Sequence, residues 1–204
     1  MQPKEKESNG DTFGSRLQIE NANLAEATKV IVENHYLQRG RTMAQMPYWI
    51  NFDSKRVGVL LFALPRMSAK TEKYGYRSPM ELIELARLWI HPEIQNTYVL
   101  DSKGKRHSLP IASMAISKSL KVIRQDWNSK YPKLPKVTAC VAWSDDSLHE
   151  GTIYRASNFN FVGKSGGTMH SSSKRKNGGR DQLNLDYLHK KSAFLFEFNN
   201  SESK

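Results

Sequence analysis

"VTACVAWSDDSLHEGTIYRASNFNFVG", residues 137–163, is the junction on which the fold turns. "VTACVAW" is a short apolar run of the kind found in strands covered on both faces. "SDDSLHEG" is an acidic, turn-rich break. Ile153, Ala156 and Phe159 then recur at helical spacing, and Phe159, Phe161 and Gly163 alternate as in a strand. Tyr154 stands where that helix begins. Its ring can anchor the core with the hydroxyl at the surface, or its hydroxyl can be a proton donor aimed into a cleft. Both readings are open at this point.

Upstream, Pro110 opens an amphipathic helix with Ala112, Ile116, Leu120, Ile123 and Trp127 at successive turns, and Ser108 is a candidate cap. Before it, "IQNTYVLDSKGKRHSLP" reads as a long connection. In "MELIELARLWIHPE", Leu85 to Ile90 alternate well enough for a strand, with Leu85, Arg87 and Trp89 on one side. "QMPYWINFD" and "RVGVLLFALP" are two strands joined at "DSK". "NANLAEATKVIVENHY" puts Leu24, Ala27, Ile31 and His35 on one helical face, capped by Asn23 or Asn21. Downstream, "SAFLFEF" is a last strand. The order mixes antiparallel hairpins with one strand–helix–strand crossover, which predicts a parallel pair. The fold class is α/β with a mixed central sheet flanked by helices, and a cleft is expected where the parallel strands splay.

The chain has 204 residues, enough for one domain with a sizeable core. Residues 1–18 read as a flexible tail, 19–199 as the domain, and 200–204 as a second tail. No apolar run nears the length of a membrane span, and the polar start lacks a signal segment. The single cysteine, Cys140, lies in an apolar strand, so no intrachain disulfide framework exists. A cytoplasmic protein is expected. With 31 Lys and Arg against 20 Asp and Glu the net charge is +11, and such an excess favours a polyanionic partner. The charge gathers in two Gly/Ser-containing basic loops, 103–107 ("KGKRH") and 171–180 ("SSSKRKNGGR").

This order of elements resembles the GCN5-related N-acetyltransferase fold, and "IYRASNFNFVG" resembles that superfamily's last helix and strand. Closer is the resemblance to the phage Mom family of DNA-modifying proteins. It rests on "NHYLQRG" (34–40), "ELARLWIHPE" (84–93) and "AWSDDSLHEGTIYRASNF" (142–159), in order over roughly residues 24 to 165. Two departures stand out. The acetyltransferase phosphate signature before the helix is absent, and loop 94–110 holds only Gly104. The Mom pattern "YADP" becomes "WSDD", which makes Asp145 the best equivalent carboxylate, with Asp146 as the other.

The Mom resemblance implies modification of adenine N6 in double-stranded DNA with an acetamido (carbamoylmethyl) group, protecting phage or mobile-element DNA from restriction. The N6 lone pair is delocalised into the purine, so a base must take its proton as the new bond forms. Asp145 is the candidate base, its plain alternative being a helix cap in "SDDS". Tyr154 is the candidate acid or base-orienting group. Arg87 is a charge where the burial pattern wants an apolar residue, so it needs a partner. Either it pairs with Glu84 or Asp145, or it holds an anionic donor. His35 and Tyr36 end the first helix; the histidine can complement the helix dipole or face the cleft, and Tyr36 can stack on an extruded base.

Lys174, Arg175 and Lys176 are candidate phosphate contacts. Ser108 and Ser113 are candidate cofactor contacts at the start of the helix, beside Lys103, Lys105 and Arg106, where backbone N–H groups can meet phosphate. Ser113 is equally well explained as an exposed small residue. Acetyl-CoA or a related donor is implied by the superfamily. Acyl transfer attaches a group through its carbonyl carbon, however, whereas an acetamido group is attached through its CH2, so the donor must differ or an extra activation step must occur. His91 and His149 are further ligand candidates; an iron centre is conceivable chemically, but the sequence assigns it no ligands. An ordinary acetyltransferase acting on a protein or small-molecule amine is the second reading. A catalytically silent nucleic-acid-binding module is the third, and it would leave Arg87, Asp145 and Tyr154 buried without purpose.

Overall fold

Asp53 and Ser54 are a two-residue turn, both at positive φ (50° and 60°). That is the geometry whose twist suits a tight hairpin. It joins β2 (Gln45–Phe52) to β3 (Lys55–Ala63), with Phe52 opposite Lys55. The computed structural model describes residues 13–38, 40–41, 43–65, 78–95, 98–100, 103–146, 148–164 and 191–198. Ahead of the hairpin come α1 (Phe13–Arg16), β1 (Leu17–Asn21) and α2 (Leu24–Asn34). β1 pairs antiparallel with β2, Leu17 is fully buried, and the Arg16 guanidinium bonds both carboxylate oxygens of Asp53. The expected tail through residue 18 is thereby corrected, because residues 17 and 18 already belong to the sheet. Residues 1–12 and 199–204 lie outside the described residues.

After β4 (Leu82–Ile90) come α3 (Pro92–Gln95), β5 (Tyr98–Leu100), β6 (Arg106–Ser108) and α4 (Ile111–Lys130). The chain continues with β7 (Ala139–Asp145), α5 (Thr152–Arg155), β8 (Asn160–Lys164) and β9 (Lys191–Glu197). The main sheet runs β1-β2-β3-β4-β7-β9-β8, and β5 and β6 form a separate two-stranded ribbon. The expected connection before α4 therefore contains a hairpin of its own. β4 and β7 are parallel and joined through α4, as the crossover predicts; the other pairings are antiparallel.

Each face of the sheet is covered according to the periodicity of its helix. Ile116, Leu120, Ile123 and Trp127 of α4 pack on Tyr48, Leu60, Phe62, Ile83, Leu85 and Ala142. Burying side chains of this size contributes about 1.5–3 kcal/mol each. Ala27 and Ile31 of α2 meet Trp49, Val59 and Leu61 on the opposite face. Asn23 caps α2, its side chain accepting from the Ala25 and Glu26 N–H groups. Among the described residues no helix is long and apolar enough to cross a membrane.

The expected alternation in β4 is corrected by a bulge. Leu61 pairs with Arg87 but Phe62 pairs with Leu85, which leaves Ala86 as the extra residue. Leu85 thus faces α4, whereas Arg87 shares the α2 face with Leu61, its register partner, and with Trp89. Bulges raise the local twist. β4 and β7 stay paired only from Leu82↔Ala139 to Leu85↔Ala142. Beyond that point Ala86–Ile90 run on beside β3, and Trp143–Asp145 run on beside β9. The two parallel strands stop pairing at the bulge, which is where a cleft between splayed strands is expected.

Candidate active site

Arg87 lies just past the parting on the β4 side and is 6% exposed. Its Nη1 donates to the Ala86 carbonyl, which belongs to the residue added by the bulge. On the α2 face it approaches His35, the residue that ends α2. The His35 backbone N–H closes the helix on Ile31 O (2.9 Å), and its Nδ1 accepts the Leu37 N–H (3.1 Å). With Nδ1 accepting, the neutral ring carries its proton on Nε2. Burial, then the Arg87 charge, then His149 hold the imidazole down to about 4. His35 is therefore neutral at physiological pH, and the expected contribution of a charge to the helix dipole is corrected. Tyr36, 52% exposed, stacks on this ring at 4.4 Å and 27°.

On the β7 side stands Asp145, the last residue of the strand and buried. Its carbonyl takes the N–H groups of Leu148 (3.0 Å) and His149 (2.8 Å), and Ser144 Oγ donates to His149 O (2.7 Å). These bonds fold the turn back so that His149 reaches the field of His35. Asp145 is not the cap of α5; Gly151 is. Asp146 is committed elsewhere. It ion-pairs with Lys164 at 3.1 Å, and the Ser192 hydroxyl, followed by Lys164, holds its carboxyl below the usual range. Asp145, by contrast, is buried at the very end of β7, beyond the last residue paired with β4.

Tyr154 enters from the α4 side of the sheet. The helix that carries it is only the four residues of α5, shorter than the periodicity implied, and Phe159 lies beyond its end. Gly151 precedes it at φ 73°, where a Cβ would lie 2.2 Å from the Phe194 ring, so that turn requires glycine. The Tyr154 ring packs on Phe194 (5.3 Å) and Phe159 (5.8 Å). Its hydroxyl stands 3.5 Å from the Trp143 carbonyl, at the outer limit of a hydrogen bond. Burial, and then Tyr36, Cys140 and Glu84, raise its pKa. The phenol is therefore protonated at physiological pH and can donate a proton. The ring is an anchor, and the hydroxyl still reaches the parting between the strands.

Two neighbours escaped the sequence reading in part. Glu84, considered only as a partner of Arg87, bonds Arg41 Nη2 at 2.8 Å. Arg41, which drew no attention, also donates to Leu64 O at 2.8 Å. Among the described residues no group of three His, Cys, Asp or Glu is arranged to hold a metal ion. His91 lies apart, exposed and 3.9 Å from Glu93. Lys174, Arg175 and Lys176 lie outside the described residues.

The first turn of α4 was expected to meet a cofactor phosphate. Pro110 is its cap and makes no side-chain cap bond. The Ile111 N–H is already bonded to Leu109 O at 2.8 Å. Ser108 is paired within β6 and caps nothing. Ser113 is buried, not exposed, and its hydroxyl donates back to Pro110 O at 3.0 Å. The first turn of α4 carries no glycine, and the Ile111 N–H and the Ser113 hydroxyl are both bonded within the chain.

The chain has the fold of the GCN5-related N-acetyltransferases. RimL, the ribosomal L7/L12 alpha-N-protein acetyltransferase, in complex with coenzyme A matches with a TM-score of 0.52 at 13% identity, covering 91% of this chain and 96% of that one. An IAA acetyltransferase from Bacillus cereus matches at 0.46 and 12%, covering 89% and 99%. The microcin C7 self-immunity acetyltransferase MccE, in complex with acetyl-CoA and AMP, matches at 0.43 and 12%, covering 76% and 61%. No curated protein matches the sequence. The model of the Mom protein family matches residues 16–199, and the chain belongs to that family.

Proposed function

We propose that this protein modifies adenine N6 in double-stranded DNA with an acetamido-type group, inside a bacterial cell, on behalf of phage or mobile-element DNA. The observation that carries the reading is the parting of β4 and β7, with Arg87 and its neighbour His35 on the β4 side, Asp145 at the end of β7 and Tyr154 against Trp143, in a chain of the Mom family. Adenine N6 shows a hydrogen-bond donor in the major groove that endonucleases read. Replacing one N–H with a carbamoylmethyl arm removes that donor and fills the groove, which accounts for protection from restriction.

The chemistry is a displacement at carbon. The N6–CH2 bond forms, the bond from that CH2 to the donor's leaving group breaks, Asp145 takes the N6 proton, and Tyr154 protonates the leaving group. The donor is an activated small carboxamide carrying its leaving group on the CH2. Arg87 holds the developing negative charge, and Tyr36 offers its exposed face to a base drawn out of the stack. Lys174, Arg175 and Lys176 supply phosphate contacts. The test is mass analysis of nucleosides from DNA co-expressed with the protein. A heavier adenine nucleoside is expected. Unmodified DNA alongside an acetylated protein or metabolite would favour an ordinary acetyltransferase instead.

A further inference from the structure

Among the described side chains, the β5–β6 ribbon contributes none to the three hydrophobic clusters. Tyr98 is 45% exposed. Tyr98 pairs with Ser108 and Leu100 with Arg106, so Tyr98 and Arg106 are diagonal neighbours on one face. The Arg106 guanidinium lies over the Tyr98 ring at 4.4 Å. Lys103 and Lys105 flank Gly104, which turns the ribbon at φ 75°, and all three are exposed.

The ribbon's position follows from the topology. It leaves the sheet after Ile90, at the C-terminal end of β4, where β4 has parted from β7. It returns at Ile111, and the first turn of α4 is bonded to the Tyr154 segment, Ser157 Oγ donating to Ser113 O at 3.1 Å. Both of its roots are therefore at the rim of the cleft.

We propose that the β5–β6 ribbon is a duplex-DNA contact at that rim, with Lys103 and Lys105 on phosphates and the Tyr98–Arg106 pair against the bases. A two-stranded ribbon fits the major groove, where adenine N6 lies. The Tyr98 ring, with a guanidinium over one face, can stack on a base drawn out of the duplex. Lysines at the turn provide counterion release without sequence preference. The inference rests on the DNA-modification reading and supplies the surface that brings the target strand to the cleft.

The test is duplex binding by the full chain, read by fluorescence anisotropy between 50 and 200 mM salt, the interval over which phosphate contacts are lost. Replacing Lys103 and Lys105 with Ala should reduce the slope of log affinity against log salt by about 0.9 per contact. Tyr98→Ala should weaken binding about tenfold with the slope unchanged, and Tyr98→Phe should restore it. Thermal melting of each variant beside the parent checks that the fold is kept. Duplex binding by the parent with every ribbon variant equal to it would overturn the ribbon and leave the proposed function standing. No duplex binding by the parent at all would overturn both. Coenzyme A binding that is lost with Lys103 and Lys105, while DNA binding persists, would also overturn the ribbon's assignment to DNA.

Discussion

Arg41 and Glu84 form an ion pair at 2.8 Å in which both side chains are about nine-tenths buried, 8% and 11% exposed. It ties the segment that follows His35 and Tyr36 to β4, three residues before Arg87. The same guanidinium nitrogen reaches the Leu64 carbonyl at the end of β3, so one arginine joins three pieces of chain beneath the cleft. Glu84 is also among the groups that raise the Tyr154 pKa. The loop carrying the stacked His35–Tyr36 pair is thereby held against the strand bearing Arg87.

Arg41→Ala should destabilise the protein by about 3–5 kcal/mol, since it leaves a carboxylate buried without its main partner. Replacing both residues, Arg41→Met with Glu84→Leu, should recover most of that loss, because a well-packed apolar pair avoids the desolvation cost. Urea unfolding of the two variants checks this. A double variant as unstable as the single one would mean that packing, rather than the unpaired charge, dominates.

His35 predicts a pH dependence with a definite sign. In the unfolded chain its imidazole binds a proton near the ordinary 6.5, whereas in the folded protein it does so only near 4. Protonation therefore favours the unfolded state. His35 imposes no penalty above about pH 6.5, and its penalty grows as the pH falls and levels off below about 4, reaching roughly 3 kcal/mol. Asn can still accept the Leu37 N–H but does not titrate. His35→Asn should melt similarly at pH 7 and lose less stability than the parent at pH 4.5. Parallel losses in the two proteins would assign the acid sensitivity to the carboxylates.

The elements that could be read from sequence are those whose signal is local. The 3.6-residue spacing of Ile116, Leu120, Ile123 and Trp127, and the turn at Asp53 and Ser54, need no distant partner to be legible. β1 needs one: Leu17 and Ile19 are two apolar residues after a polar stretch, and they become a strand only because β2, some thirty residues later, presents an open edge. The bulge at Ala86 is hidden because "LARLW" alternates plausibly without it; only the pairing with Leu61 and Phe62 shows that Leu85 and Arg87 face opposite ways. Arg87 stood out as a charge amid apolar residues. Arg41 did not, since an arginine in a polar loop looks like any solvated cation until Glu84 is folded beneath it. The sequence prefers Asp145 to Asp146 only through the family resemblance; where β7 ends is visible only in the fold.

If Lys174, Arg175 and Lys176 contact phosphates, replacing all three with Ala should flatten the salt dependence of duplex binding by about 0.9 log units per lost contact. The effect should add to that of the Lys103 and Lys105 replacement, since phosphate contacts on separate loops release separate counterions. Titrations at three salt concentrations suffice to measure the slope. An unchanged slope would make the second basic loop a merely solvated one.

Tyr154→Phe separates anchor from acid in one variant. The ring contacts to Phe159 and Phe194 survive the change. What is lost is one hydroxyl whose acceptor in the fold, the Trp143 carbonyl, is 3.5 Å away. A hydrogen bond that long stabilises little, so unfolding should shift by no more than about 0.5–1.5 kcal/mol. Loss of a general acid should instead slow adenine modification by about 10² to 10⁴. Near-native melting with modification abolished is the expected outcome. Modification intact, with a clear loss in melting temperature, would make the tyrosine an anchor alone. The hydroxyl's position favours the first result: the weak bond to Trp143 leaves its proton available to a leaving group in the cleft.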